Sequence, residues 1–126
     1  MKTTLAPWLS VRNGAEAVAF YQSAFGAVEV FHLEGDGESI VSRLSIQGAE
    51  FWLSDEAPEY GNFSPQTLGG ATSRFVLTVA DPQAMFNRAV AAGGASVHPV
   101  REEQGWLVGR IADLFGHHWE IGRPLE

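Results

Sequence analysis

The residues with chemistry to offer gather around one late stretch, Asp113-Leu-Phe-Gly-His-His-Trp-Glu-Ile-Gly122. Glu120 is a carboxylate able to serve as a general base. His118 lies two residues earlier, and successive side chains on a strand face opposite sides, so the two share a face. Arg74, Trp8, Trp52 and Trp106 complete the candidates. A guanidinium can clamp a carboxylate or phosphate, and an indole can stack on a planar ligand. The chain has no cysteine, which excludes disulfides, thiolate metal sites and cysteine nucleophiles. Phosphate-loop, nucleophile-elbow and zinc-protease patterns are absent.

The elements that must position these groups follow from patterning. Pro7 to Val11 alternates as a short strand. Asn13 then caps a helix running to about Phe25, with Ala17, Val18, Tyr21 and Phe25 as its apolar stripe and Gly26 as its stop. Strands are expected near Ala27 to Leu33, Ile40 to Ile46 and Glu50 to Ser54. A second series repeats the order: a strand over Arg74 to Val79, Asp81 and Pro82 opening a helix, and Gly93-Gly94 ending it. Strands near Ser96 to Arg101, Trp106 to Ala112 and His117 to Gly122 complete that series. Between the two, residues 55–71 carry Pro58, Gly61, Pro65 and Gly69-Gly70, which predicts a connection without regular structure, a surface crossing or lid.

Sliding the chain by 68 residues superimposes the two series: Leu9 on Leu77, Asn13 on Asp81, Gly26 on Gly94, Gly37 on Gly105, Gly48 on Gly116. Read as one ungapped offset, this is an internal duplication with pseudo-twofold symmetry. The fold class is therefore α+β: tandem βαβββ modules, about 5–54 and 72–123, whose curved sheets enclose a cleft. By parity, Leu9, Val11, Phe51, Leu53, Phe75, Leu77, Val79, Trp119 and Ile121 face the helices. Ala6, Trp8, Ser10, Glu50, Trp52, Ser54, Arg74, Val76, Thr78, His118 and Glu120 face the cleft, a mixture suited to a small-molecule pocket.

Composition agrees with a single folded domain over 1–126, with 45% hydrophobic and 18% charged residues. A net charge of -7 with eight Lys and Arg argues against nucleic acid, whose phosphates need a basic face. No stretch reads as a signal peptide or a membrane span, so a cytoplasmic protein is expected.

The run Asn13-Gly-Ala-Glu-Ala-Val-Ala-Phe-Tyr-Gln-Ser-Ala-Phe-Gly-Ala27, the paired modules and Asp113-Leu-Phe-Gly-His-His-Trp-Glu120 resemble the vicinal oxygen chelate superfamily. That superfamily holds glyoxalase I, bleomycin- and fosfomycin-resistance proteins and extradiol dioxygenases. Leu53-Ser-Asp-Glu-Ala-Pro-Glu-Tyr-Gly61 with Ser64-Pro65 and Leu68-Gly-Gly70 is similar to its small glyoxalase-like branch, whose members are mostly of unassigned function. The resemblance implies a homodimer and one divalent metal held from the first and fourth strands of each module. Those metal positions fall here on Ala6, Trp52, Arg74 and Glu120. Only Glu120 can ligate, since a guanidinium has no lone pair to donate, and a catalytic metal usually needs about three protein ligands. The expectation is no metal cofactor.

Arg74 and Glu120 have two open readings: an ion pair filling the vacated metal position, or a ligand clamp. His32 and His98 read as exposed or core histidines. Three functions follow. One is a metal-free protein binding a small organic molecule through Trp8, Trp52, Arg74, Trp106, His118 and Glu120. The second is a lyase, isomerase or dioxygenase with a displaced metal on Glu120 and His118, or with Glu120 as catalytic base. The third is a dimeric scaffold with a self-filled cleft.

Overall fold

The chain's caps do what their residue types demand. In the computed structural model, which describes all 126 residues, the Asn13 side chain accepts from Glu16 N and Gly26 ends the helix in the left-handed region at φ 68. Asp81 accepts from Ala84 N in the same manner. The elements run β1 (Trp8–Val11), α1 (Gly14–Phe25), β2 (Val28–Glu34), β3 (Ile40–Ile46) and β4 (Ala49–Asp55). After the connection come β5 (Arg74–Thr78), α3 (Pro82–Ala91), β6 (Ala95–Glu103), β7 (Trp106–Ala112) and β8 (His118–Pro124).

Two four-stranded sheets result, with the same order: β1-β4-β3-β2 and β5-β8-β7-β6. In each the first strand lies parallel to the fourth, and the remaining neighbours are antiparallel. This is the tandem βαβββ architecture of the α+β class. No helix is long and apolar enough to cross a membrane.

Residues 55–71 do not lack regular structure. They form a 3-10 turn at Pro58–Tyr60 and a short helix α2 at Pro65–Leu68. The same prolines and glycines that suggested an irregular crossing act as helix punctuation. Pro58 and Pro65 stand at first positions, Ser64 caps Thr67 N, and Gly61 and Gly69 end the turns at φ 79 and 83.

Nor is the repeat one ungapped offset. The first and fourth strands keep 68 residues, since Leu9 pairs with Leu53 and Leu77 with Ile121. The third strands do not: Arg43 pairs with Trp52, whereas Arg110 pairs with Glu120, an offset of 67 for the arginines. The cause lies in the hairpins. Ile46 and Ala49 close a turn of Gln47-Gly48, while Asp113 N bonds His117 O at 2.8 Å around the longer Leu114-Phe115-Gly116.

Parity is as the alternation predicts. Leu9, Leu53, Leu77 and Ile121 are buried, and Trp8 and Val76 are 53% and 61% exposed. One apolar core of 22 buried residues spans both modules. Phe51 of the first sheet meets Trp119 of the second edge-on at 5.4 Å, and Phe25 meets Trp119 at 4.9 Å. Arg88 on α3 donates to Ser23 O and Gln22 O, placing a cation at the C-terminal end of α1. Gly109 on β7 leaves room for Phe86 of α3; a β-carbon there would come within 2.9 Å of the ring. The sheets thus share their helix-side faces, and the opposite faces carry the candidate site residues.

Candidate functional site

On the open face of the first sheet, Trp8 and Trp52 stack with centroids 5.1 Å apart and planes 6° from parallel. Ring atoms in contact sit roughly 3.5–4 Å apart, so a third ring cannot enter between these two. The indoles grip each other rather than a ligand. Arg43 lies over the far face of Trp52, its guanidinium carbon 5.1 Å from the centroid, and Phe31 meets Trp52 edge-on at 5.6 Å. Trp8 Nε1 donates to Ser54 Oγ at 2.8 Å, which fixes the outer indole and leaves its free face to solvent. Ala6, the remaining first-module position, lies just before β1 and is exposed.

The second sheet carries the polar constellation. Arg74 Nε donates to Glu120 Oε2, with side chains 58% and 21% exposed. Glu120 lies between Val76 on β5 and Arg110 on β7 in the strand register. Arg110 Nε donates to His118 Nδ1 at 3.1 Å. Arginine can only donate, so Nδ1 is the acceptor and the neutral imidazole carries its proton on Nε2. Burial, and after it the Arg110 charge, hold His118 below the usual histidine range. Trp106 shares this face but sits at the far end of β7, opposite Pro124, about 13 Å along the strand from Arg110.

The two constellations are separate in one chain. No hydrogen bond, ion pair or ring contact joins Trp8 or Trp52 to Arg74 or Glu120. A groove of about 460 Å³ between the sheets takes in Arg74, Glu50 and Val76 over a floor of Phe51, Phe75 and Trp119, without Trp52 or Glu120. A second, of about 330 Å³, runs from Trp8 past Phe75 to His117. His117 itself bridges the modules, with Nε2 3.0 Å from Ser10 O.

Arg43 and Arg110 were missed as site residues. They occupy equivalent places beside Trp52 and Glu120, but an offset of 68 aligns Arg43 with Ile111 and hides the match. Reading each third strand by its own alternation against the fourth would have found them. The other histidines lie elsewhere. His32 is on the helix side beside Glu29, Nδ1 2.9 Å from Oε2, and that bond raises its pKa. His98 shares the row of Arg110 and bonds its neighbour's carbonyl.

The donor set does not fit a divalent metal. Of Ala6, Trp52, Arg74 and Glu120, the one carboxylate is bound by the one guanidinium. No three His, Asp or Glu groups are placed to hold an ion together.

Comparison with known proteins places this architecture. The chain is 40% identical over 132 residues to the uncharacterised protein Mb0911c of Mycobacterium bovis, covering 100% of this chain and 86% of that protein. It is similar to the At5g48480 gene product of Arabidopsis thaliana, whose X-ray structure shows 32% identity and a TM-score of 0.73 over 95% of this chain and 98% of that one. The Listeria monocytogenes fosfomycin resistance protein FosX, in complex with Mn(II) and sulfate, has a TM-score of 0.72 at 15% identity over 98% of this chain and 93% of its own, a likeness of fold. The model of the Glyoxalase/Bleomycin resistance protein/Dioxygenase superfamily matches residues 4–121. With the two sheets and their shared strand order, this establishes that the chain belongs to the glyoxalase/bleomycin resistance protein/dioxygenase superfamily.

Proposed function

We propose that this protein binds a small organic molecule on its open sheet faces without a metal ion, as a homodimer whose second copy helps to close the site. The carrying observation is the Arg74–Glu120 ion pair, which stands where the family resemblance places metal ligands. A divalent cation entering there would meet a resident positive charge and too few donors. A relative that holds Mn(II), FosX, shares the fold at 15% identity and so lends no ligand set to this chain.

Trp8, Phe31 and the Arg43-backed Trp52 supply an apolar surface with a cation behind it. Arg74, Arg110, His118 and Glu120 supply the polar groups, a composition typical of small-molecule sites. Glu120 as a catalytic base is disfavoured because Arg74 occupies its Oε2. His118 as a metal ligand is disfavoured because Arg110 occupies Nδ1.

Equilibrium dialysis against a library of small aromatic molecules, with elemental analysis of the same preparation, tests this reading. Reversible binders and no stoichiometric metal are expected. A stoichiometric divalent ion lost on replacing Glu120 or His118 would install the metal-dependent lyase, isomerase or dioxygenase instead. A preparation with neither metal nor binder would leave the dimeric scaffold.

A further inference from the structure

Among the polar groups of this site, Arg110 alone has both terminal guanidinium nitrogens unengaged and no ion-pair partner. It is half-buried on the open face of the second sheet, and its single hydrogen bond goes from Nε to the neutral ring of His118. Its terminal nitrogens, the pair whose fork matches a carboxylate or phosphate, have no protein partner. The one carboxylate beside it in the register, Glu120, is taken by Arg74. The face therefore presents a partly desolvated guanidinium without a counter-ion, and burying a charge is costly unless it is paired.

The equivalent arginine of the first module is not hydrogen-bonded either, since Arg43 Nε is buried without a partner, but it has company that Arg110 lacks. Arg43 lies over the Trp52 ring and has Glu50 Oε1 at 3.4 Å. Arg110 has no aromatic face, and the acid opposite it is held by Arg74. Directly opposite it stands Glu120, whose charge the Arg74 guanidinium answers, and beside it the Nε2–H of His118, fixed by the tautomer that Arg110 itself imposes. Val76 and Val108 flank this group on the same face, Val76 61% exposed. Two guanidinium groups against one carboxylate leave this spot net positive in a chain whose overall charge is -7.

We infer that the ligand carries an oxyanion, a carboxylate or phosphate-class group, held bidentately by Arg110, with an apolar body over Val76 and Val108. This rests on the small-molecule reading and narrows it to amphipathic anions.

The test uses the full chain and three probes: 2-naphthoate, its neutral counterpart 2-naphthylmethanol, and inorganic phosphate. Binding is read by isothermal titration and by the His118 ring resonances. The expected result is that naphthoate binds at least tenfold tighter than the alcohol, with the advantage shrinking as salt rises, and that it shifts His118. Arg110→Met should abolish the advantage and Arg110→Lys should retain part of it. Arg12→Met, which removes the same charge from the first module beside Glu56, should leave it intact. Equal binding of acid and alcohol, or an undiminished preference in Arg110→Met, overturns the anion assignment while the small-molecule reading stands. If all three probes fail to bind, the assignment and that reading fall together. Should Arg110→Met not fold, the Lys variant and the salt dependence decide.

Discussion

The phenol of Tyr21, on the helix of the first module, donates to Asp113 Oδ2 in the last hairpin of the second, 2.5 Å away and inside the core. Trp119 Nε1 donates to the same oxygen at 2.9 Å, while Phe115 N and His117 N donate to Oδ1. Asp113 thus holds the longer turn of the second module and ties it to the first. Burial, and then the Asp113 charge, push the Tyr21 phenol well above its usual range, so it stays a donor.

Tyr21→Phe removes one of four donors from a buried carboxylate without changing the ring packing. A loss of about 1–3 kcal/mol is expected, the cost of a missing hydrogen bond at a buried polar group. Urea unfolding should show a lower midpoint with an unchanged slope. A midpoint within error of the parent would mean that Tyr21 holds nothing.

His118 makes stability and pH interdependent. Its folded-state pKa is depressed, so between that value and the ordinary one the unfolded chain binds more protons. This contribution is full above the ordinary histidine range and is lost as pH falls through and below it. NMR titration should place His118 below a free histidine, and Arg110→Met should move it back upward in part, because burial persists. A His118 that titrates at or above the ordinary value would contradict the Arg110 hydrogen bond.

These relationships differ in how visible they are in the sequence. Helix ends, strand parity and the two-module order are local matters, carried by Asn13, Gly26, Asp81 and the alternation around Leu9 and Trp119. The Tyr21–Asp113 bond joins residues 92 apart and has no local signature. Arg43 and Arg110 escaped because one extra residue in the Leu114-Phe115-Gly116 turn shifts the third strand against the repeat. Trp8 and Trp52 were legible as same-face aromatics. Their mutual stacking was not, since it depends on side-chain geometry that the alternation leaves open.

The metal position can be rebuilt within one module. Arg74 lies directly opposite His118, with Glu120 two residues further along β8. Arg74→His therefore sets two imidazoles and a carboxylate on one face, the number of protein ligands a catalytic zinc uses. Zn(II) should bind this variant and not the parent in competition with a chromophoric chelator. Adding Arg110→Met frees His118 Nδ1 and should tighten binding by roughly tenfold or more, the scale on which neighbouring groups tune metal sites. Parent protein with a full equivalent of tightly held zinc would end the metal-free reading.

The last expectation concerns assembly. Val28, Val30, Phe31 and Leu33 on β2 are each between 43% and 61% exposed, and Trp8 and Val76 more than half exposed. β2 is also an edge strand, with hydrogen-bonding groups left to find a partner. Four large apolar side chains bared along one edge strand are the kind of surface that marks an interface, and a second copy offers an identical face to cover them. Light scattering at micromolar concentration should give twice the 13.6 kDa chain mass. Phe31→Glu with Leu33→Glu places two charges in the surface to be covered and should shift the equilibrium toward monomer, while circular dichroism stays that of the parent. A parent that scatters as a single chain would remove the dimer and, with it, the role given to the second copy.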